Sequence, residues 1–126
     1  MAVDLVRVQG NYTLGGTSTW ETYDQIPTSQ VPNDSYFMTD VFIFGGTGYF
    51  VNEIAVVARY QYFYFKNSSG AISLIDSRIV CEFGAQSGGA TAFEYRQEIS
   101  SGNITIEGRY LTSGTMLYYD GRLRSR

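Results

Sequence analysis

The sequence contains no histidine, one cysteine, one lysine and two prolines in 126 residues. Without histidine the chain lacks the commonest general base at neutral pH and the commonest transition-metal ligand, and one cysteine cannot build a thiolate zinc site. Histidine-dependent triads, zinc hydrolysis and metal redox chemistry within one chain are thereby excluded. Cys81 has no partner for an intramolecular disulfide and reads as a small buried hydrophobe. Lys66 sits beside a turn, where a Schiff-base amine would not be desolvated. Gly45-Gly46-Thr47-Gly48 is followed by no lysine and opens no helix, so it reads as a strand connection, not a phosphate loop. The sequence offers no catalytic, cofactor-binding or metal-binding set, and the expectation is a protein that is not an enzyme.

Positive charge is also scarce. A net charge of −3 and a pI near 4.8 argue against a nucleic-acid partner or an anionic membrane surface. No long apolar run is present, and the first residues, MAVDLVRVQG, mix charged with apolar side chains. They resemble neither a secretory signal nor a membrane span, so the expectation is synthesis in a cytoplasm without a signal peptide. The sequons at Asn11, Asn33, Asn67 and Asn103 then read as turn and strand chemistry.

What the chain has in quantity is tyrosine, phenylalanine, threonine, valine, isoleucine and glycine, the composition of an all-β domain. Its length suits one domain spanning residues 1–126, large enough to bury an ordinary core without staples. Strands are predicted over 3–9, 17–23, 36–44, 53–66, 71–83, 91–99, 104–112 and 115–123, with a Pro-bearing loop from Asp24 to Ser35 and no amphipathic helix beyond about two turns.

Segments 53–66 and 71–83 form a long hairpin around Asn67-Ser68-Ser69-Gly70. With Lys66 opposite Ala71, one face carries the pairs Ile54–Phe83, Val56–Cys81, Tyr60–Ser77, Tyr62–Ile75 and Tyr64–Ser73. The other carries a polar band of Arg59, Asp76 and Arg78 and, beyond it, an apolar tip of Phe63, Phe65, Ile72 and Leu74. Such a two-sided apolar tip asks for cover from outside the hairpin.

The last three strands read as a meander, with Ile99 opposite Ile104 and Thr112 opposite Thr115. That register gathers Phe93, Tyr95, Ile99, Ile104, Ile106, Tyr110, Leu117, Tyr119 and Leu123 on one face. Aromatic rings of Tyr95 and Tyr119 flank Gly108, and Glu94–Arg109 and Arg96–Glu107 pair on the other face. Glu107 and Asp120 would also face each other, but the surrounding arginines make them part of a salt-linked sheet surface.

The predicted fold is an all-β, two-sheet antiparallel β-sandwich of about eight strands, jelly-roll-like or a related Greek key. The predicted role is a non-enzymatic structural subunit acting by homo-oligomeric packing or within a larger assembly. Low lysine content, Gly/Ser/Thr/Tyr-rich strands and the unremarkable amino terminus point toward a virus or phage particle component: a capsid, decoration, tail or fibre-knob protein. Its interface residues would be Phe63, Phe65, Ile72 and Leu74, with Arg122, Arg124 and Arg126 of the basic C-terminal segment. An alternative is a lectin-like, carbohydrate-binding sandwich stacking a glycan on Trp20, Tyr60, Tyr62, Tyr64 or Tyr118. A third is a small-ligand β-barrel with its tyrosines turned inward. No cofactor is expected in any of these.

Overall fold

The computed structural model describes residues 3–15, 17–46, 55–85, 93–110 and 116–125, without the side chains of 46, 55 and 83–85. Eight strands and no helix occur among them: β1 Val3–Thr13, β2 Glu21–Pro27, β3 Ser35–Gly46, β4 Ala55–Lys66, β5 Ile72–Ala85, β6 Glu94–Ser100, β7 Asn103–Arg109 and β8 Met116–Ser125. They build two antiparallel sheets, one ordered β1-β8-β3-β4-β5 and the other β2-β7-β6. This is the predicted two-sheet sandwich. Pairs β1–β8 and β2–β7 nest one inside the other in opposite sheets, as in a rolled hairpin, while β3, β4 and β5 run on as a meander within the larger sheet.

Period-two alternation decides which residues enter the core. Phe37, Val41 and Ile43 of β3, Val56, Ala58, Tyr60 and Tyr64 of β4, and Leu117, Tyr119 and Leu123 of β8 point inward from the larger sheet. Tyr23 and Ile26 of β2 and Ile104 and Ile106 of β7 meet them from the smaller one. Each fully buried Leu or Ile contributes roughly 1.5–3 kcal/mol. The layer is also stitched by a buried polar network. The hydroxyls of Thr39 and Tyr64 both donate to Gln97 Oε1 at 2.7 Å, and Gln97 Nε2 donates to the Tyr95 hydroxyl at 2.8 Å.

Several expectations need correction. The meander does not extend to β8, which crosses to the larger sheet between β1 and β3. The Ile99–Ile104 register holds, and Leu117, Tyr119 and Leu123 still face the core, but from the opposite wall. Glu107 and Asp120 consequently lie on different sheets, with Glu107 bound to Arg96 and Asp120 to Arg7. The predicted cross-strand pairs Glu94–Arg109 and Arg96–Glu107 are both formed. The gap at Gly108 is filled by the Tyr23 hydroxyl and the Phe93 ring, which crowd the position a Cβ would take. The strand predicted at 17–23 starts only at Glu21 and runs through Pro27, which an edge strand tolerates because its outer N–H has no ladder partner. The loop after it is pinned to its own chain, where Lys66 Nζ donates to the carbonyls of Thr28 (2.9 Å) and Val31 (3.0 Å). The two sheets remain open-edged, so the closed wall of a barrel is absent among the described residues.

The long hairpin forms, in a different register. Its loop holds three residues, not four: Asn67 pairs with Ala71, while Asn67 Oδ1 accepts the N–H groups of Ser69 and Ala71 and Gly70 takes φ +86°. Lys66 therefore faces Ile72, and two bulges at Ile75 and Val80 shift the pairing twice more. Phe63 and Phe65 stay on the outer face, but Ile72 and Leu74 turn to the inner face beside Lys66 and Tyr64. The predicted single tip is thus split across the sheet. Arg59 faces Cys81, which is half-buried on the outer side and not opposite Val56, and Arg78 faces Gln61. The predicted Ile54–Phe83 pair is not formed, because Phe83 faces Val57. Gly45 and Gly46 end β3, and Thr47, Gly48 and the Thr112–Thr115 turn lie outside the described residues.

Candidate functional site

The two sheets differ in width, and the mismatch creates the surfaces that could bind something. Three strands cannot cover five, so β5 overhangs the edge strand β6. Beneath the overhang runs an open groove of about 540 Å³, walled by Tyr60 and Tyr62 on one side and Phe93 and Tyr95 on the other. Trp20, and Ser77, Arg78, Ile79 and Glu82 of β5, complete the lining.

Tyr60 stacks on Tyr95 with ring centres 4.1 Å apart and planes 7° from parallel, and its hydroxyl donates to Glu82 Oε2 at 2.7 Å. At 3% exposure Tyr60 is wall and not platform. Burial above all, and then the adjoining Glu82 carboxylate, push its ionisation far above the ordinary tyrosine range. Tyr62 meets Tyr95 edge-on at 6.0 Å. The half-buried Trp20 ring carries the Arg96 and Arg109 guanidiniums at 4.3 and 4.4 Å from its centre. Arg109 is held in turn by Glu94 at 2.7 Å and by the Ser18 carbonyl at 3.3 Å. Both groove carboxylates, Glu82 and Glu94, are therefore engaged.

The second surface is the outer face of the five-stranded sheet, across which a charged band runs. Asp40 sits at its centre on β3, its side chain 6% exposed, accepting from Arg59 at 2.8 and 2.6 Å and from Arg124 at 3.2 Å. Burial works to raise the Asp40 pKa, but the Arg59 hydrogen bonds and charge outweigh it and hold the carboxyl below its ordinary value. Arg124 also reaches Asp4 at 2.7 Å, Arg122 binds Asp4 at 3.2 Å, and Arg7 clamps Asp120 at 3.1 and 2.8 Å. Arg78 extends the band to the far edge by donating to Gln61 at 2.8 Å. Aromatic residues lie on either side of this band. On one side Tyr36, 57% exposed, stacks on Phe63 at 5.3 Å and touches Phe65 at 4.8 Å; on the other, Phe42 and Phe44 are open to solvent.

The structure brings Trp20, Tyr60 and Tyr62 to one groove, but Tyr64 lies in the core network and Tyr118 lies on the outer face, donating to Gln9. Phe63 and Phe65 form one exposed aromatic cluster with Tyr36, while Ile72 and Leu74 belong to the other face of β5. Arg122 and Arg124 are tied into the ionic band, and Arg126 lies outside the described residues. Asp40 and Tyr36 were not singled out from sequence, and Phe93 and Tyr95 were read only as part of a core face. The signal for Asp40 was there, a lone charge inside YFMTDVFIF. Among the described residues no cluster of three or more His, Cys, Asp or Glu could hold a metal ion, and no helix is long and apolar enough to cross a membrane.

No protein-family model matches the sequence, and no curated protein matches it. A solved structure does. The chain shares its fold with part of a phage tailspike. Against the crystal structure of the Acinetobacter baumannii phage AM24 tailspike protein the TM-score is 0.59 at 12% identity, covering 98% of this chain and 26% of the tailspike. The tailspike protein of Acinetobacter phage vB_ApiP_P1 aligns over 95% of this chain and 22% of its own length, at 16% identity and a TM-score of 0.44. The chain thus spans about a quarter of the tailspikes it matches.

Proposed function

We propose that this chain is a non-enzymatic structural part of a phage particle, of the tailspike kind among the capsid, decoration, tail and fibre-knob possibilities, and that it works by packing against further copies of itself. The observation that carries the reading is the apolar surface left open by the larger sheet. Tyr36, Phe42, Phe44 and Phe63 on its outer face and Leu74, Ile75, Ile79 and Val80 along its free edge are all exposed, and exposed apolar clusters mark surfaces of interaction. The fold shared with a tailspike segment supports the particle assignment, and the engagement of Glu82 by Tyr60 and of Glu94 by Arg109 supports a non-catalytic role. Native mass spectrometry across micromolar concentrations tests it: a closed oligomer is expected, and a monomer throughout would overturn the reading.

A second reading, carbohydrate binding, is favoured by the groove, where Trp20 and Tyr62 lie beside Glu82 and Glu94 as a sugar's apolar faces and hydroxyls would require. If it holds, the chain is retained on a bacterial surface polysaccharide and Trp20→Ala lowers retention at least about tenfold, as loss of one stacking residue should. Equal retention of both proteins would dismiss it.

A further inference from the structure

We infer that β5 is a self-complementary edge: two copies of this chain pair antiparallel through it, about a two-fold axis at Ser77. The inference rests on the assembly reading and specifies which surface one contact uses. Among the described residues β5 pairs with β4 alone, so one side of its 14-residue backbone lacks a ladder partner. That is over twice the usual strand length of about 5–6 residues. Every residue from Ser73 to Val80 is exposed, with Ile79 at 58%.

An edge so long and apolar is an open template for another strand, and proteins commonly blunt such edges with charge. Here the two charges lie either side of Ser77 and have opposite signs. The tract Leu74-Ile75-Asp76-Ser77-Arg78-Ile79-Val80 is a chemical palindrome. In antiparallel pairing centred on Ser77, Asp76 faces Arg78 of the second copy, Ile75 faces Ile79, and Leu74 faces Val80, each twice by symmetry. Directly opposed residues share a sheet face, so the ion pairs match within the regular segment, while each apolar pair joins a regular residue to one of the two bulge residues, Ile75 or Val80. A foreign apolar strand would leave Asp76 and Arg78 unmatched; a one-residue slip would oppose Asp76 to Ser77 or Ile79, and a two-residue slip would oppose Asp76 to Asp76 or Arg78 to Arg78. The charges therefore select both partner and register. The bulges at Ile75 and Val80 lie outside Asp76–Ile79, which stays regular. The product is a ten-stranded sheet built from two five-stranded ones.

Charge reversal tests the register. Asp76→Arg places two arginines across each contact, and Arg78→Asp places two aspartates there. Either should weaken association by on the order of tenfold or more, whereas D76R/R78D restores opposite charges across the axis and should regain wild-type association. Circular dichroism of each variant confirms folding, which Asp76 in particular should not disturb, since it is exposed and binds only the Ser77 N–H. As an independent check, Ser77→Cys in a Cys81→Ser background should give a disulfide-linked dimer on mild oxidation, because opposed Cα atoms lie about 4.5–5.5 Å apart in an antiparallel pair. If the oligomer is unchanged in D76R and R78D and the cysteine variant does not cross-link, this edge is not the contact, although the assembly reading stands. A wild-type protein that remains monomeric defeats both.

Discussion

At the scale of single residues, Gln97 and Asp40 do work that no neighbour can take over. Gln97 is the common acceptor for two buried hydroxyls, Thr39 on β3 and Tyr64 on β4, and so ties the small sheet to the large one. Gln97→Leu keeps the volume and removes the acceptor, which should destabilise the fold by about 2–6 kcal/mol at the usual 1–3 kcal/mol for each of the two stranded hydroxyls. Denaturant unfolding measures this, and adding Thr39→Val should recover part of the loss. A change within experimental error would mean the network contributes nothing. The carboxyls of Asp40 and Asp120 are held below their ordinary values, Asp120 chiefly by its hydrogen bonds from Arg7. Both release protons more readily folded than unfolded, so the stability they confer is complete above the unfolded value of about 3.9 and is lost as pH falls through the folded values. Unfolding followed from pH 7 to pH 2 should show an acid limb below about pH 4 that Asp40→Asn and Asp120→Asn make shallower. An identical limb in both variants would assign acid lability elsewhere.

At the scale of elements, β5 differs from every other strand in being exposed over most of its length on both faces. Its inner face overhangs the narrow sheet, and its outer edge has no neighbour among the described residues. Leu74 on this strand and Phe63 on the neighbouring β4 are both exposed, so Phe63→Ser and Leu74→Ser should shift monomer stability by only about 0.5–1 kcal/mol. Their effect should fall on association. Native mass spectrometry of the two variants is expected to show dissociated species, and the faces separate the contributions: Phe63 reports on the outer aromatic cluster, Leu74 on the inner face of the edge strand. Oligomers that survive both substitutions would remove this hairpin from the interface.

At the scale of the whole molecule, the inequality of the sheets is the fact from which the rest follows. A five-stranded layer over a three-stranded one leaves a groove under the overhang and an uncovered outer face, two surfaces of different chemistry. The outer face combines aromatic clusters with an ionic band whose charges are paired internally, so it presents geometry more than net field. Such a surface suits packing against protein. The groove, with Trp20, Tyr62 and hydrogen-bonding groups in reach of one another, suits a glycan. The two readings share residues only at β5, where Arg78 and Ile79 border the groove; the outer aromatic clusters lie on the opposite side of the sheet.

Alternation and turn chemistry were enough to determine the all-β class, the eight strands and part of the inward set, Ile104, Ile106, Leu117 and Leu123 among it, because strand periodicity is a local property of the chain; Ile99, expected on the same face, is 43% exposed. Ile99 opposite Ile104 was legible for the same reason: Ser101 and Gly102, both at positive φ, make a tight turn whose length fixes the register. The β4–β5 register was not, since a one-residue difference in loop length and two bulges are set by how Asn67 folds back on its own turn and by what each face meets. The place of β8 was illegible too: the same alternation satisfies a position beside β7 or one between β1 and β3, and only the ladders to Arg7, Asp40 and their neighbours decide between them. Sequence thus determined which side chains are apolar and how they alternate. Tertiary structure decided which strands share a sheet, and with that which apolar residues were left outside.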